Sequence, residues 1–269
     1  MFLAIILLAV GFAAVIKGAD FLVDGASSLA KRLHIPEIVI GLTVVAFGTS
    51  APELVVNIIA SVGGNNEMVL GNIIGSNIFN TLLILGIAGM IFPLQVQRNS
   101  VKKEIPFSLL AAGVFFFLAN DNLFFKSQVG IVSTFDGIFL LFMFFLFLYY
   151  TFGLSRVKAS PVSEEIQVLP NWKTWLYLIL GFIGLFVGGR LVVDNAVYLT
   201  RALHVSEKLI ALTVVSMGTS LPELAATGVA AYKKRSDLAV GNVVGSNLFN
   251  ILLVLGVSSA ISPVPYTSI

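Results

Sequence analysis

Apolar residues run through this chain in long blocks, among them 37 to 62, 68 to 92, 129 to 152, 175 to 193 and 238 to 261. They do not follow the spacing of a surface helix or the alternation of a half-buried strand. Each block can cross a hydrocarbon core, which takes about 20 residues of helix. The alternating pattern of an outer-membrane barrel is missing, so the crossing elements are expected to be helices. Eight are predicted, at about 2 to 30, 37 to 62, 68 to 92, 105 to 119, 129 to 152, 172 to 200, 207 to 231 and 237 to 262. The expected fold class is an all-α polytopic membrane protein.

Charge then orients the chain. Numbering the loops alternately puts Lys31, Arg32, Arg98, Lys102, Lys103, Arg156, Lys158, Lys173, Lys233, Lys234 and Arg235 on one side and Lys126, Arg201 and Lys208 on the other, with Lys17 and Arg190 inside helices. The richer side is expected to be cytoplasmic, which leaves the N-terminus outside a cell membrane. The first block begins at Phe2 with no Lys or Arg before it, unlike a signal peptide, and reads as a retained helix. Hydrophobic residues make up 57% and charged residues 11% of the chain, whereas soluble domains carry about 25% charged residues and need them for a solvated surface. The net charge of +2 sits in short loops and gives no reason to expect nucleic acid; membrane lipid is the expected surrounding partner. With no cysteine, disulfides and thiolate metal ligands drop out.

The chain also repeats itself. From Gly18 and from Gly188 onward two stretches align without a gap, an offset of 170, so that Asp24 meets Asp194, His34 meets His204 and Glu37 meets Glu207. The best-matching blocks are polar: Gly48-Thr49-Ser50-Ala51-Pro52-Glu53 with Gly218-Thr219-Ser220-Leu221-Pro222-Glu223, and the run Gly71 to Asn80 with Gly241 to Asn250. Five predicted spans separate the two starts, and an odd number reverses orientation, which makes the repeat inverted. Transporters of this build place their substrate near the midplane where the copies meet.

Glu53 and Glu223 each sit mid-span, where an ionisable group is costly and points to function. Thr49 lies four residues before Glu53 and Ser50 three before, on its face. Pro52 cannot donate to Gly48, so carbonyls around Ala46 and Phe47 are candidates to face an ion, as are those of Ser216 and Met217. Asn72, Ser76 and Asn80 form one polar stripe, and Asn242, Ser246 and Asn250 another. Carboxylates, hydroxyls, amide oxygens and carbonyls together suit Ca²⁺ or Na⁺. Asn72, Asn77, Asn242 and Asn247 read equally as interhelical hydrogen-bonding residues. The histidines fall on opposite sides and cannot share a metal, and Asp20, Asp24 and Asp194 read as solvated or interfacial groups.

The doubled G-T-S-x-P-E and G-N-x-x-G-S-N blocks resemble the alpha repeats of the cation/Ca²⁺ antiporter superfamily, and more closely its prokaryotic Na⁺/Ca²⁺ exchanger branch. The resemblance covers about residues 18 to 92 and 188 to 262. It implies ten helices in two inverted halves, of which this chain carries eight, with the first and sixth sliding as gates. It implies a Ca²⁺ site at Glu53 and Glu223 with carbonyls near Thr49 and Thr219. Na⁺ sites are implied at Ser50, Ser76, Ser220, Ser246 and the carbonyls of Ala46 and Ser216, with Asn80 and Asn250 completing a central diamond. Some members carry Asp where this chain has Asn250. The expected division is residues 1–155 as a first five-helix repeat, 156–171 as a cytoplasmic linker and 172–269 as a second repeat lacking its last two helices, an absence expected to expose a flank of the eighth helix.

The function expected is antiport of Na⁺ against Ca²⁺ by alternating access, with Ca²⁺/H⁺ antiport as the alternative and a cation channel as a third reading. No enzymatic activity and no bound cofactor are expected, only the transported ions. Oligomeric state is left open.

Overall fold

The computed structural model describes residues 1–96, 103–120, 130–154, 168–203 and 216–266. Among the described residues there are ten helical segments. Helix α1 spans Phe2–Leu33. Helix α2 runs as Glu37–Ile40, a π-helical stretch Gly41–Val45 and Ala46–Thr49, and α3 is Ala51–Val62. Helix α4 runs as Asn66–Ile78, a π-helical stretch Phe79–Ile84 and Leu85–Ile91. Then follow α5 (Glu104–Ala119), α6 (Thr134–Leu154), α7 (Asn171–Ala202), α8 (Ser216–Thr219) and α9 (Leu221–Tyr232). Helix α10 repeats the pattern of α4, as Ser236–Leu248, a π-helical stretch Phe249–Val254 and Leu255–Ile261. Five helices among the described residues are long and apolar enough to cross a membrane, or six if α2 and α3 count as one bent span. Of the predicted span 207 to 231, residues 207 to 215 lie outside the described residues, as do His204, Glu207 and most of the 156–171 linker.

The two long helices α1 and α7 pack antiparallel, as members of an inverted repeat must. Added Cβ atoms at Gly11, Gly18 and Gly25 would come within about 3 Å of Val192, Leu185 and Leu178 in turn, and those at Gly181 and Gly188 would meet Leu22 and Val15. Lipid tails are as apolar as leucine, so this seam gains from close van der Waals contact rather than from burial away from water, and glycine permits the approach. At one end Ser28 and Thr174 hydroxyls meet at 2.9 Å, and Arg32 donates to the Leu169 carbonyl at 2.5 Å.

A second glycine contact sets α2 parallel to α10. A Cβ at Gly245 would stand 2.7 Å from the Ala46 Cβ, and one at Gly241 would stand 2.7 Å from the Ile38 carbonyl. This approach carries Thr49, at the end of α2, to the polar stripe of α10. Between α2 and α3 the chain bends by 47° at Ser50, where Pro52 supplies no backbone donor.

Three features differ from expectation. Residues Gly130–Val132 pair antiparallel with Val264–Tyr266, giving a short ribbon that joins the start of α6 to the end of α10. The eighth span, α10, is the most enclosed of the crossing helices, with 83% of its apolar window buried, against 28% for α4. The open flank is thus on α4 and not on the eighth helix, because α6 crosses to the other repeat: a Cβ at Gly137 of α6 would lie 2.7 Å from the Ala260 backbone of α10. Finally, Asp20 and Asp24 are not merely solvated. Lys233, at the end of α9, reaches their carboxylates at 2.5 and 2.7 Å and ties α9 to α1. Asp194 is exposed, as expected, and pairs with Arg190 at 3.6 Å.

Candidate functional site

Glu53 and Glu223 open α3 and α9, in the first turn after each break, and both are buried, with 1% of their surface exposed. A helix N-terminus offers backbone N–H groups and a favourable dipole to a carboxylate, which offsets part of the cost of placing a charge in the membrane. The repeats then exchange hydroxyls. Ser50 donates to Glu223 Oε1 at 2.9 Å, and Ser220 donates to Glu53 Oε1 at 3.2 Å. The second oxygen of each carboxylate, Glu53 Oε2 and Glu223 Oε2, is buried without a partner.

The remaining sequence-predicted residues surround this pair. Ser220 Oγ lies 3.4 Å from Ser76 Oγ, and Thr49 Oγ1 lies 3.4 Å from Ser246 Oγ, all four residues buried. Asn80 and Asn250 sit in the π-helical stretches of α4 and α10, and each carries a buried Oδ1 with no partner. The site therefore presents four orphaned oxygens, two carboxylate and two amide. Buried polar atoms are rarely left unpaired, so such a cluster points to a ligand. Thr219 is half-buried near Glu53, and Ser216 opens α8 with its side chain outside the described residues.

One predicted ligand is placed differently. The Ala46 carbonyl is not freed by the break, for it accepts the Ser50 N–H at 2.9 Å and the Thr49 hydroxyl at 3.3 Å. Its second lone pair is open to an ion when the single Thr49 hydroxyl hydrogen turns to Asn242 Oδ1, 3.1 Å away. The four asparagines also divide in role. Asn242 is a buried structural link, accepting from Thr49 at 3.1 Å and donating to Thr227 at 2.9 Å. Asn72 corresponds to it, and its Nδ2 is buried without a partner. Sequence reading passed over Asn57, one turn beyond Glu53 on the same face, whose Nδ2 donates to the Glu53 carbonyl at 2.7 Å. Its spacing of four from Glu53 was the available signal.

A cavity of about 350 Å³ lies between α3 and α7, lined among others by Val56, Ile59, Arg190 and Asp194, and it reaches Thr219 and the prolines Pro52 and Pro222 that precede the glutamates. Helix α1 is closed against α9 by Lys233. Both motif glycines lie under α7: a Cβ at Gly48 would run into the Phe182 ring and one at Gly218 into Val193.

Comparison with known proteins settles the family. The sodium/calcium exchanger protein family matches residues 3–153 and 173–269. The chain belongs to that family. It is 39% identical over 272 residues to the inner membrane protein YrbG of Escherichia coli K12, covering 98% of this chain and 81% of YrbG. It is 31% identical over 290 residues to the sodium/calcium exchanger MaX1 of Methanosarcina acetivorans, covering 96% of this chain and 83% of MaX1. Among solved structures, the sodium-calcium exchanger NCX_Mj superposes with a TM-score of 0.85 at 32% identity, covering 98% of this chain and 84% of that one. The chain is accordingly a multi-pass, all-α membrane protein of an antiporter family, a transporter and not a member of an enzyme family.

Proposed function

We propose that this chain exchanges Na⁺ for Ca²⁺ at one midplane site built from both repeats, with Glu53 and Glu223 as its anionic ligands. The observation that carries the reading is the set of orphaned buried oxygens Glu53 Oε2, Glu223 Oε2, Asn80 Oδ1 and Asn250 Oδ1, the stretch that holds Asn80 packing on α9 and the one that holds Asn250 packing on α3. Two carboxylates balance one Ca²⁺ or two Na⁺. Hard oxygen donors suit either ion. Ser50, Ser76, Ser220, Ser246, Thr49 and Thr219 add hydroxyls, and the carbonyls of Ala46 and Ser216 complete the Na⁺ positions. The names of MaX1 and NCX_Mj favour Na⁺ as the coupling ion. A buried carboxylate can also carry a proton, which keeps Ca²⁺/H⁺ antiport as the second reading.

In this reading the cavity between α3 and α7 is the entry from one side, and α1 and α7 slide together to close it and open the other. Residues 1–155 and 172–269 form the two repeats, joined by the 156–171 linker. The deciding experiment is ⁴⁵Ca²⁺ uptake into proteoliposomes. Uptake driven by an opposed Na⁺ gradient at fixed pH is expected, with no Ca²⁺ flux when Na⁺ is replaced by choline. Uptake that follows a pH gradient and ignores Na⁺ would establish the proton-coupled alternative, and continuous single-channel current would establish a channel.

The cation asymmetry of the loops supports an orientation with the N-terminus outside and the loop after α9 inside the cell membrane. A cysteine introduced by Asn65→Cys, in the exposed turn between α3 and α4, is expected to react with a membrane-impermeant thiol reagent on intact cells, and one introduced by Leu33→Cys to be protected until the cells are opened. The reverse pattern would invert the topology.

A further inference from the structure

An asparagine is a two-faced cation ligand. Its oxygen attracts the ion, but rotation of the amide by half a turn presents N–H donors instead. Asn80 and Asn250 are both held oxygen-free by the same device. Asn80 Nδ2 donates to Asn247 Oδ1 at 3.1 Å, and Asn250 Nδ2 donates to Asn77 Oδ1 at 3.1 Å. Each bond crosses from one repeat to the other. The oxygens left over are the buried, unpartnered Oδ1 atoms of the site. One clamp has a third member: Asn247 Nδ2 donates to Thr81 Oγ1 at 2.9 Å, which turns the Asn247 oxygen toward Asn80. In the other clamp Ile251 stands at the position corresponding to Thr81.

We infer that Asn77 and Asn247 are positioning residues that set the amide orientation of Asn250 and Asn80, so that a cation meets oxygen and not N–H on both sides of the site. The inference rests on the cation-site reading above. It also separates these two residues from Asn242, which bonds Thr49 and Thr227 and touches no amide of the site. Ordinary interhelical hydrogen bonds in a bilayer are worth about 0.6 kcal/mol, less than a threefold effect, so the loss of a correctly turned ligand should stand out above simple packing.

The test is a double-mutant cycle on the full chain, read as ⁴⁵Ca²⁺ binding in detergent and as KM against maximal rate in proteoliposomes. Asn77→Ala is expected to weaken Ca²⁺ binding about tenfold, with KM rising more than the maximal rate falls. In an Asn250→Asp background either oxygen of the carboxylate can meet the ion, so the same Asn77→Ala change is expected to cost less than twofold. Asn247→Ala, which orients Asn80, should keep its full effect in that background. Thr81→Val, close in shape to the original, should weaken binding about threefold, and Thr81→Ser should restore it. Repeating Thr81→Val in an Asn80→Asp background, where no loss is expected because either carboxylate oxygen can meet the ion, keeps the test decisive if an alanine variant does not fold. An equal loss from Asn77→Ala in both backgrounds, or no loss in either, overturns the orienting role while leaving the cation site standing. An unmodified chain that binds no Ca²⁺ overturns the site and this inference together.

Discussion

Replacing either glutamate by glutamine, as Glu53→Gln or Glu223→Gln, is expected to abolish Ca²⁺ transport while the protein remains folded. Each change removes one of the two negative charges at the centre of the site and keeps its shape. At an effective dielectric of about 20, unit charges about 4 Å apart interact by about 4 kcal/mol, and a dication doubles that. Losing even 4 kcal/mol weakens binding about a thousandfold. Stability should move little. Glutamine Oε1 can still accept the serine hydroxyl that now reaches Glu53 or Glu223 at 3.2 and 2.9 Å. Its neutral amide also escapes the cost of holding a charge out of water. Thermal unfolding in detergent should stay within a few degrees of the unmodified chain. Ca²⁺ flux near the original rate in either variant would sink the assignment of the site.

Much of this arrangement was legible because the chemistry is written twice. Glu53 and Glu223 stand out in apolar spans, and a polar match at constant offset has no packing reason to persist in lipid. Inversion followed from counting spans, and the antiparallel seam of α1 on α7 agrees with it. What could not be read was the crossing of partners. Spacing relates Ser50 to Glu53, three residues away on one helix, yet the Ser50 hydroxyl is given to Glu223 and that of Ser220 to Glu53. The break at Ser50 ends α2 and turns its last residues toward the opposite repeat, and helical periodicity carries no information across such a break.

The π-helical stretches were equally hidden. Phe79–Ile84 and Phe249–Val254 are wholly apolar apart from Asn80, Thr81 and Asn250 and read as ordinary span interior. Such widened turns gather at functional sites, and here they hold the two candidate amide ligands, Asn80 and Asn250. The enclosure of α10 was misjudged for a topological reason: α6 leaves its own repeat to cover α10, and span order along the chain does not show such a crossing. Lys233 was read as one of many loop cations, because its two partners, Asp20 and Asp24, lie more than two hundred residues away along the chain.

Raising Na⁺ is expected to raise the apparent Kd for Ca²⁺ steeply and without a plateau. The argument is a charge count at one place. Glu53 and Glu223 together neutralise one Ca²⁺ or two Na⁺, and filling the site with both kinds of ion would leave excess positive charge in a low-dielectric centre. Repulsion between cations about 4 Å apart there is at least several kcal/mol, so occupancy must be competitive. The empty site is penalised as well, since it holds two carboxylates that no buried cation offsets, and removing one partner of a buried charge set costs about 3–5 kcal/mol. Carrying an empty site across the membrane should therefore be slower than carrying a loaded one, and exchange would prevail over leak. Ca²⁺ binding to the detergent-solubilised protein is measured across a Na⁺ series at constant ionic strength, with choline as the replacing ion. A plot of log Kd against log Na⁺ should rise with a slope above one if more than one Na⁺ displaces each Ca²⁺. Holding ionic strength constant removes general screening as the cause of the shift. A Kd indifferent to Na⁺ at fixed pH would show that the two ions do not share Glu53 and Glu223, and would leave proton exchange as the reading that the buried carboxylate pair supports.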